Sequence, residues 1–363
     1  MKVLLLITDL ERGGSPLRLV RLAHGLAGEG IQVAVGCLAP PGPLSAELQG
    51  AGLRTFACGA RSVRDLGALL RLRREIRDLA PDLVHATLTH ANVAARLVAA
   101  RLGIPVIGST ATIEVERRWH RRLERCTLRW ESAHLVNSAA LAEHVVRTFG
   151  AAREHVFLIP PSIGQVPARI DRDAARRRFG IPPMAHVLLW VGRFDPVKRI
   201  DRIVECLRLD EERSLMALLA GAGPEKEHIA ALAARLGVRD RVVLPGWQAD
   251  LGPALSAADA FVFPSLTEGM PNALLAALGF GLPCVASDIP AHRELADRGA
   301  RQRLVDCGDA AALLSAVRWM QAAPAEAEAM GLLSAAWAEQ NLRPEATVQA
   351  TIAAYERVLA AAK

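Results

Sequence analysis

The sequence predicts an α/β chain built of two Rossmann-like, doubly wound parallel-sheet domains in series, facing each other across a cleft. Three observations carry this. The chain has 363 residues, where one domain usually takes about 100–200. Short apolar runs alternate with longer segments of 3.6-residue period, the pattern of buried parallel strands joined by covering helices. That rhythm lapses once, over residues 166–186, in an Arg-rich stretch holding Pro182-Pro183, and then restarts. The expected domains are therefore 1–165 and 166–345, with a closing helix at 346–363 that packs back on the first domain.

In the first half, strands are expected at 3–8, 32–38, 83–86, 104–108, 133–137 and 155–159. Helices are expected at 16–27, 63–79, 91–102, 115–130 and 139–149. In the second half, strands are expected at 187–191, 214–220, 241–244, 259–263, 283–286 and 302–305. Helices follow at 198–208, 225–236, 271–280 and 309–322, and the last 40 residues read as helix (325–340 and 345–361). Two such halves put ligands at the carboxyl ends of their strands.

Composition removes several alternatives. Hydrophobic residues make up 51% and charged residues 23%, enough apolar material for two cores and far from a disordered composition. No apolar run approaches the roughly 20 residues of a membrane span. Met1-Lys2-Val3-Leu4-Leu5-Leu6 resembles a signal start, but Asp9, Glu11 and Arg12 interrupt it, so it reads as a buried strand. Cys37, Cys58, Cys126, Cys206, Cys284 and Cys307 show no C-x-x-C spacing. They read as small buried hydrophobes in a reducing cytoplasm, not as a zinc site or disulfide framework.

The formal charge is +6, and it is uneven: residues 1–165 carry 21 Lys+Arg against 14 Asp+Glu, and residues 166–363 carry 23 against 24. The basic half suits an anionic partner or peripheral contact with an anionic membrane. Aromatics at 4% and the lack of zinc-finger or RNA-recognition motifs argue against nucleic acid.

The sharpest motif is Gly192-Arg193-Phe194-Asp195-Pro196-Val197-Lys198, which places two cations where a strand gives way to a helix. A guanidinium fork and an ammonium point charge together suit a diphosphate, although two solvated loop cations would read the same way. Next comes Glu268-Gly269-Met270-Pro271-Asn272, again between a strand and a helix. Pro271 suits the first helical turn, the free N–H groups there attract an anion, and Glu268 either accepts from sugar hydroxyls or caps the helix. Gly221-Ala222-Gly223-Pro224 is a glycine turn where backbone can approach a base or ribose, and Gly279-Phe280-Gly281-Leu282-Pro283 is a helix stop before a strand.

Taken together, Gly192-Arg193 with Lys198, Gly221-x-Gly223-Pro224, Glu268-Gly269-x-Pro271-Asn272 and Gly281-x-Pro283 closely resemble family 4 glycosyltransferases of the GT-B fold. The resemblance is specific over about 100 residues and looser over the rest of the chain. It implies that Arg193 and Lys198 hold the diphosphate of a nucleotide-sugar donor and that Glu268 contacts the sugar. It also implies transfer with retention of configuration to a glycan or lipid-linked acceptor. One position departs from the family pattern: a second Glu, eight residues after the first and commonly on the ribose, is here Ala276. A methyl group accepts no hydrogen bond, and a lost bond to a charged acceptor costs about 1.5–3 kcal/mol.

In the first half, Gly13-Gly14-Ser15-Pro16 follows the first strand. Ser15 is the expected N-cap and Pro16 a first-turn residue, and the double glycine lets backbone approach a ligand. It is not G-x-G-x-x-G, so a nicotinamide site is not indicated. The resembled family places this loop by the donor phosphates and often sets a His after the strand at 83–86. Here Thr87 stands at that place; His90 is the preferred polar contact and His85 the packed one, and both also suit structural roles. Arg117, Arg118, Arg121, Arg122, Arg125 and Arg129 crowd one helix, with Trp119, Leu123, Cys126 and Trp130 forming a stripe. The stripe is expected to face the core, with Glu116, Glu124 and Glu131 interrupting the basic surface.

No D-x-D motif stands near these residues, so no metal and no cofactor are expected; the cations and the helix start near Asn272 would stabilise the leaving diphosphate. Two other readings stay open. Ala276 suits a nucleotide-sugar-binding protein impaired in catalysis, and the same fold also suits a sugar-nucleotide epimerase.

Overall fold

The computed structural model describes residues 1–62, 65–112, 118–306 and 308–362. Glu116, Arg117 and Cys307, and the first residues of the helices expected at 63 and 115, lie outside the described residues. The chain divides into two compact units, one formed by Met1–Ser162 with Pro344–Lys363 and the other by Ile163–Arg343.

In the first unit the strands are β1 (Lys2–Ile7), β2 (Gln32–Cys37), β3 (Arg54–Ala57), β4 (Leu83–Thr87), β5 (Val106–Thr110), β6 (Ala133–Val136) and β7 (Val156–Leu158). All pair in parallel, in the order β3-β2-β1-β4-β5-β6-β7. The second unit holds β8 (His186–Arg193), β9 (Leu215–Ala222), β10 (Val242–Gly246), β11 (Ala260–Phe263), β12 (Cys284–Ser287) and β13 (Arg303–Val305). Their order is β10-β9-β8-β11-β12-β13, again parallel. Each sheet winds outward in both directions from its first strand. The winding reverses between β1 and β4 and between β8 and β11, and such switch points open a crevice beyond the strand ends.

Burial on both faces explains the unbroken apolar runs. In β1, Val3, Leu5 and Ile7 pack toward the helices Gly14–Gly28 and Pro344–Ala361, while Leu4 and Leu6 pack toward Leu66–Leu79 and Thr89–Val98. The period-two alternation thus serves two layers at once. Strand β3 was not expected: an exposed Arg54 and three half-buried residues, Thr55, Phe56 and Ala57, form a sheet edge with no apolar run to announce it.

Several local expectations need correction. The helix after β1 begins at Gly14, and its N-cap is Gly13, not Ser15. Pro271 is the N-cap of the helix Asn272–Phe280, not its first-turn residue. The Arg-rich junction carries a helix, Arg172–Arg178, capped by the Asp171 carboxylate, which accepts from the Ala174 N–H at 2.8 Å. Its buried Arg176 pairs with Asp259 at 2.7 Å. Cys126 is exposed, whereas Cys37, Cys58, Cys206 and Cys284 are buried.

The largest correction concerns the basic helix, Arg118–Thr127. It buries His120, Glu124 and Thr127, leaving Trp119 42% and Leu123 37% exposed and Cys126 exposed beside them. The cause lies on the helix Thr89–Val98, where Arg96 is wholly buried. Its guanidinium donates to Glu124, to Glu131 and, at 3.1 Å, to Thr127. Asn92 donates to Glu124 at 3.2 Å, and His134 Nδ1 meets Glu131 at 2.7 Å. Burial alone would raise the Glu131 carboxyl, but His134 and Arg96 hold it below its ordinary value; Glu131 and Glu124 in turn hold Arg96 above its own against burial. An unpaired buried charge costs several kcal/mol, more than the roughly 1.5–3 kcal/mol gained by burying one large apolar side chain, so the helix turns its acids inward.

Candidate functional site

In the second unit, β8 runs out through Gly192-Arg193 into a single 3₁₀ turn, Pro196–Lys198, whose start is tied by the Asp195 carboxylate accepting from the Val197 N–H at 3.2 Å. Strand β11 ends at Phe263 and leads to Glu268. The switch point places these two loops side by side. The Leu266 N–H donates to the Val197 carbonyl at 2.9 Å, and Lys198 Nζ donates to Glu268 Oε1 at 2.5 Å. Glu268 is only 5% exposed at its side chain and Lys198 19%. Lys198 Nζ also lies 5.7 Å from the centre of the Phe263 ring. Arg193, the last residue of β8, is exposed and makes no ion pair among the described residues.

Gly192 is in register with Gly221, and Arg193 with Ala222. Gly221 and Gly223 have φ of +153° and +151°, and a Cβ on either would overlap the backbone of Gly192 or Phe194. These two glycines are therefore required by the approach of two strand ends, whatever else binds there. Gly269, Met270 and Pro271 are buried, with Met270 in the hydrophobic core, and Asn272 opens the helix that carries half-buried Ala276.

The sequence reading missed His292. It is fully buried, and its Nδ1 must donate to the Ser287 carbonyl at 2.7 Å, since a carbonyl only accepts. Its Nε2 has no hydrogen-bond partner, its ring lies 5.8 Å from Phe263, and burial lowers its pKa. No motif signals it.

The remaining expected residues lie in the first unit. Gly13 is extended at the helix start and Gly14 is exposed. His90 sits in the helix Thr89–Val98 with its ring 5.6 Å from Trp119 and 4.8 Å from His120. His85, on β4, is 5% exposed, and its Nδ1 meets the Tyr355 hydroxyl at 2.7 Å. Burial pulls its pKa down to about 4; His134 adds to this and Glu131 opposes it. Between pH 6.5 and 4 the unfolded chain thus binds a proton that folded His85 refuses. Stability should fall as pH drops through that window and level off below it, by up to about 3 kcal/mol from His85. His144, His186 and His292 are lowered too and act in the same direction. Denaturation midpoints from pH 7 to 4 check this, and His85→Gln should flatten the slope.

The sequence reading also missed a cavity of about 100 Å³ within the first unit, beyond the ends of β4, β5 and β6, walled by Arg18, Arg21, His85, Asn137 and the helix Pro344–Ala361. The available signal was Arg18 and Arg21 at i and i+3 among Leu17, Leu19, Val20 and Leu22.

Against known proteins, residues 185–322 match the family described as "Glycosyl transferases group 1" and residues 12–164 match "Glycosyltransferase Family 4". A lipopolysaccharide core biosynthesis glycosyltransferase of Rhizobium meliloti is 32% identical over 188 residues, 52% of this chain and 53% of that protein; the match thus spans about half the relative's length. A D-inositol 3-phosphate glycosyltransferase of Nocardia farcinica is 27% identical over 77% of this chain and 70% of its own. Among solved structures, sucrose-phosphate synthase from Thermosynechococcus elongatus superposes with a TM-score of 0.87 at 20% identity, covering 99% of this chain and 100% of that one. HepE of Anabaena, solved in complex with UDP and glucose, gives 0.87 at 18% identity over 98% and 100%. At these identities the structural likeness speaks for the fold.

Proposed function

Because the chain belongs to the family 4 glycosyltransferases, we propose that it moves a hexose-type unit from a nucleoside-diphosphate sugar to a glycan or lipid-linked acceptor, with retention of configuration. The observation that carries this reading is the Lys198–Glu268 pair at the switch point of the second unit, with Arg193 exposed at the end of β8, the strand whose loop carries Lys198. A diphosphate brings competing anionic oxygens to Lys198. As the ammonium turns to them, Glu268 is released to accept from sugar hydroxyls, and Arg193 supplies a forked pair of donors. The charge that grows on the leaving diphosphate is then met by fixed cations, which requires no metal. The test is acceptor-dependent release of nucleoside diphosphate, begun with UDP-glucose and varied through other bases and sugars. Turnover that survives both Arg193→Ala and Lys198→Ala would refute the assignment. Ala276 favours a second reading, donor binding without transfer, in which calorimetry registers the donor and no acceptor yields product.

The outward face of the helix Arg118–Thr127 supports contact with an anionic membrane, at which a lipid-linked acceptor would be met. Trp119 and Leu123 stand among Arg118, Arg122, Arg125 and Arg129, all exposed, while Glu124 and Glu131 are turned inward and paired. Among the described residues no helix is long and apolar enough to cross a membrane, so attachment would be by apolar insertion plus about 1 kcal/mol per surface cation. Co-sedimentation should favour vesicles containing phosphatidylglycerol over pure phosphatidylcholine by at least about ten-fold. Trp119→Ser with Leu123→Ser should remove most of that binding; equal binding to both vesicles would overturn the proposal.

A further inference from the structure

The cavity in the first unit carries chemistry that the donor site does not use. Its wall is mainly apolar, from Leu19, Leu22, Leu135, Ile159 and Val348, yet Arg18 and Arg21 enter it from one helix. The Arg21 Nε is buried without a hydrogen-bond partner, and Arg21 makes no ion pair among the described residues. Arg18 reaches the Asn137 side-chain oxygen when that amide is turned toward it, at 3.2 Å for one of its nitrogens. Burial, with the charge of Arg21 added, pulls Arg18 down to about 10. His85 joins them. Tyr355 holds its Nδ1, and its Nε2 is buried with no partner. If the tyrosine hydroxyl donates to Nδ1, Nε2 carries the proton and is a donor.

Two neighbouring cations, an unpartnered guanidinium N–H and an unpartnered imidazole nitrogen around an apolar hollow form an incomplete polar set, and what completes it is an oxyanion. Buried donors left without acceptors are costly, and each one in a native structure calls for an explanation, a bound ion being one. We infer that this cavity binds a phosphate group carried on an apolar stem, with Arg21 and His85 Nε2 as its donors. The site lies wholly within the first unit, so the inference stands apart from the donor chemistry of the second.

The test uses the full chain and n-hexyl phosphate, with inorganic phosphate and n-hexanol as the two halves of the probe, measured by calorimetry. Hexyl phosphate should bind at least ten-fold more tightly than either half. Arg21→Met should weaken it at least ten-fold, Arg21→Lys by no more than about three-fold, and Lys198→Ala not at all. Leu22→Trp, which fills the hollow from its wall, should abolish binding and decides the matter should Arg21→Met fail to fold. Four results would each overturn the inference. They are inorganic phosphate equalling hexyl phosphate, which means a free-anion site; hexanol equalling it, which means an apolar hole; Arg21→Met and Leu22→Trp both binding as wild type; and Lys198→Ala removing binding that Arg21→Met leaves intact, which means the probe sits in the donor site.

Discussion

Replacing Lys198 by alanine is expected to lower turnover of the nucleotide-sugar donor by about 10²–10³-fold, the scale at which one preorganised electrostatic donor acts on a developing anion. Two effects add. The ammonium that would face the diphosphate is gone, and Glu268, only 5% exposed, is left as an unpaired carboxylate next to an incoming polyanion. The variant should therefore lose donor affinity as well as rate. Glu268→Gln in the Lys198→Ala background separates the two: removing the carboxylate should restore part of the affinity but not the rate. Lys198→Arg keeps the charge but widens the head group, so it should retain binding while losing alignment. Stability should fall as well, because the Glu268 carboxylate is only 5% exposed and loses its ion-pair partner. Steady-state kinetics with a melting curve for each variant distinguish these outcomes. Kinetics of Lys198→Ala within a factor of three of wild type would remove the pair from the mechanism.

That pair was legible in the sequence for a specific reason. Lys198 and Glu268 are 70 residues apart, but each follows a continuous apolar run that ends in a glycine- or proline-marked loop. Strands buried on both faces must be apolar throughout, so Val187–Trp190 and Phe261–Phe263 announce themselves, and doubly wound order then places β8 beside β11. Edge strand β3 announces nothing, because only its pairing with β2 makes it a strand. The cavity was hidden because it is assembled from the helix Gly14–Gly28, three strand ends and the helix Pro344–Ala361, which lie far apart in the chain. The orientation of the helix Arg118–Thr127 was misread for a different cause. Periodicity weighs apolar residues along one helix, and the decisive group, Arg96, sits 28 residues before its partner Glu124.

Arg96→Ala tests that account and should be among the most destabilising single changes in the first unit, at about 3–5 kcal/mol. The arginine and both its carboxylate partners are at most 2% exposed, so neither solvent nor salt can replace the lost charge. Glu124 would retain Asn92, and Glu131 would retain His134, but a neutral amide and one imidazole do not replace the guanidinium that faced both carboxylates. The Glu131 carboxyl, which His134 and Arg96 hold down against burial, should titrate higher in the variant. A folded-state pKa above the unfolded one stabilises the fold only at low pH and is lost as pH increases, so the deficit of Arg96→Ala should be larger at pH 8 than at pH 5. Glu124→Gln added to Arg96→Ala should recover part of the loss at pH 8 by removing one of the stranded charges. The helix Arg118–Thr127 should also open locally in the single variant, seen as faster amide exchange over 118–130 than in the helix Leu66–Leu79, which lacks this network. A deficit below about 1 kcal/mol at pH 8, or one that grows on acidification, would mean that apolar packing and not the buried ion network orients the basic helix.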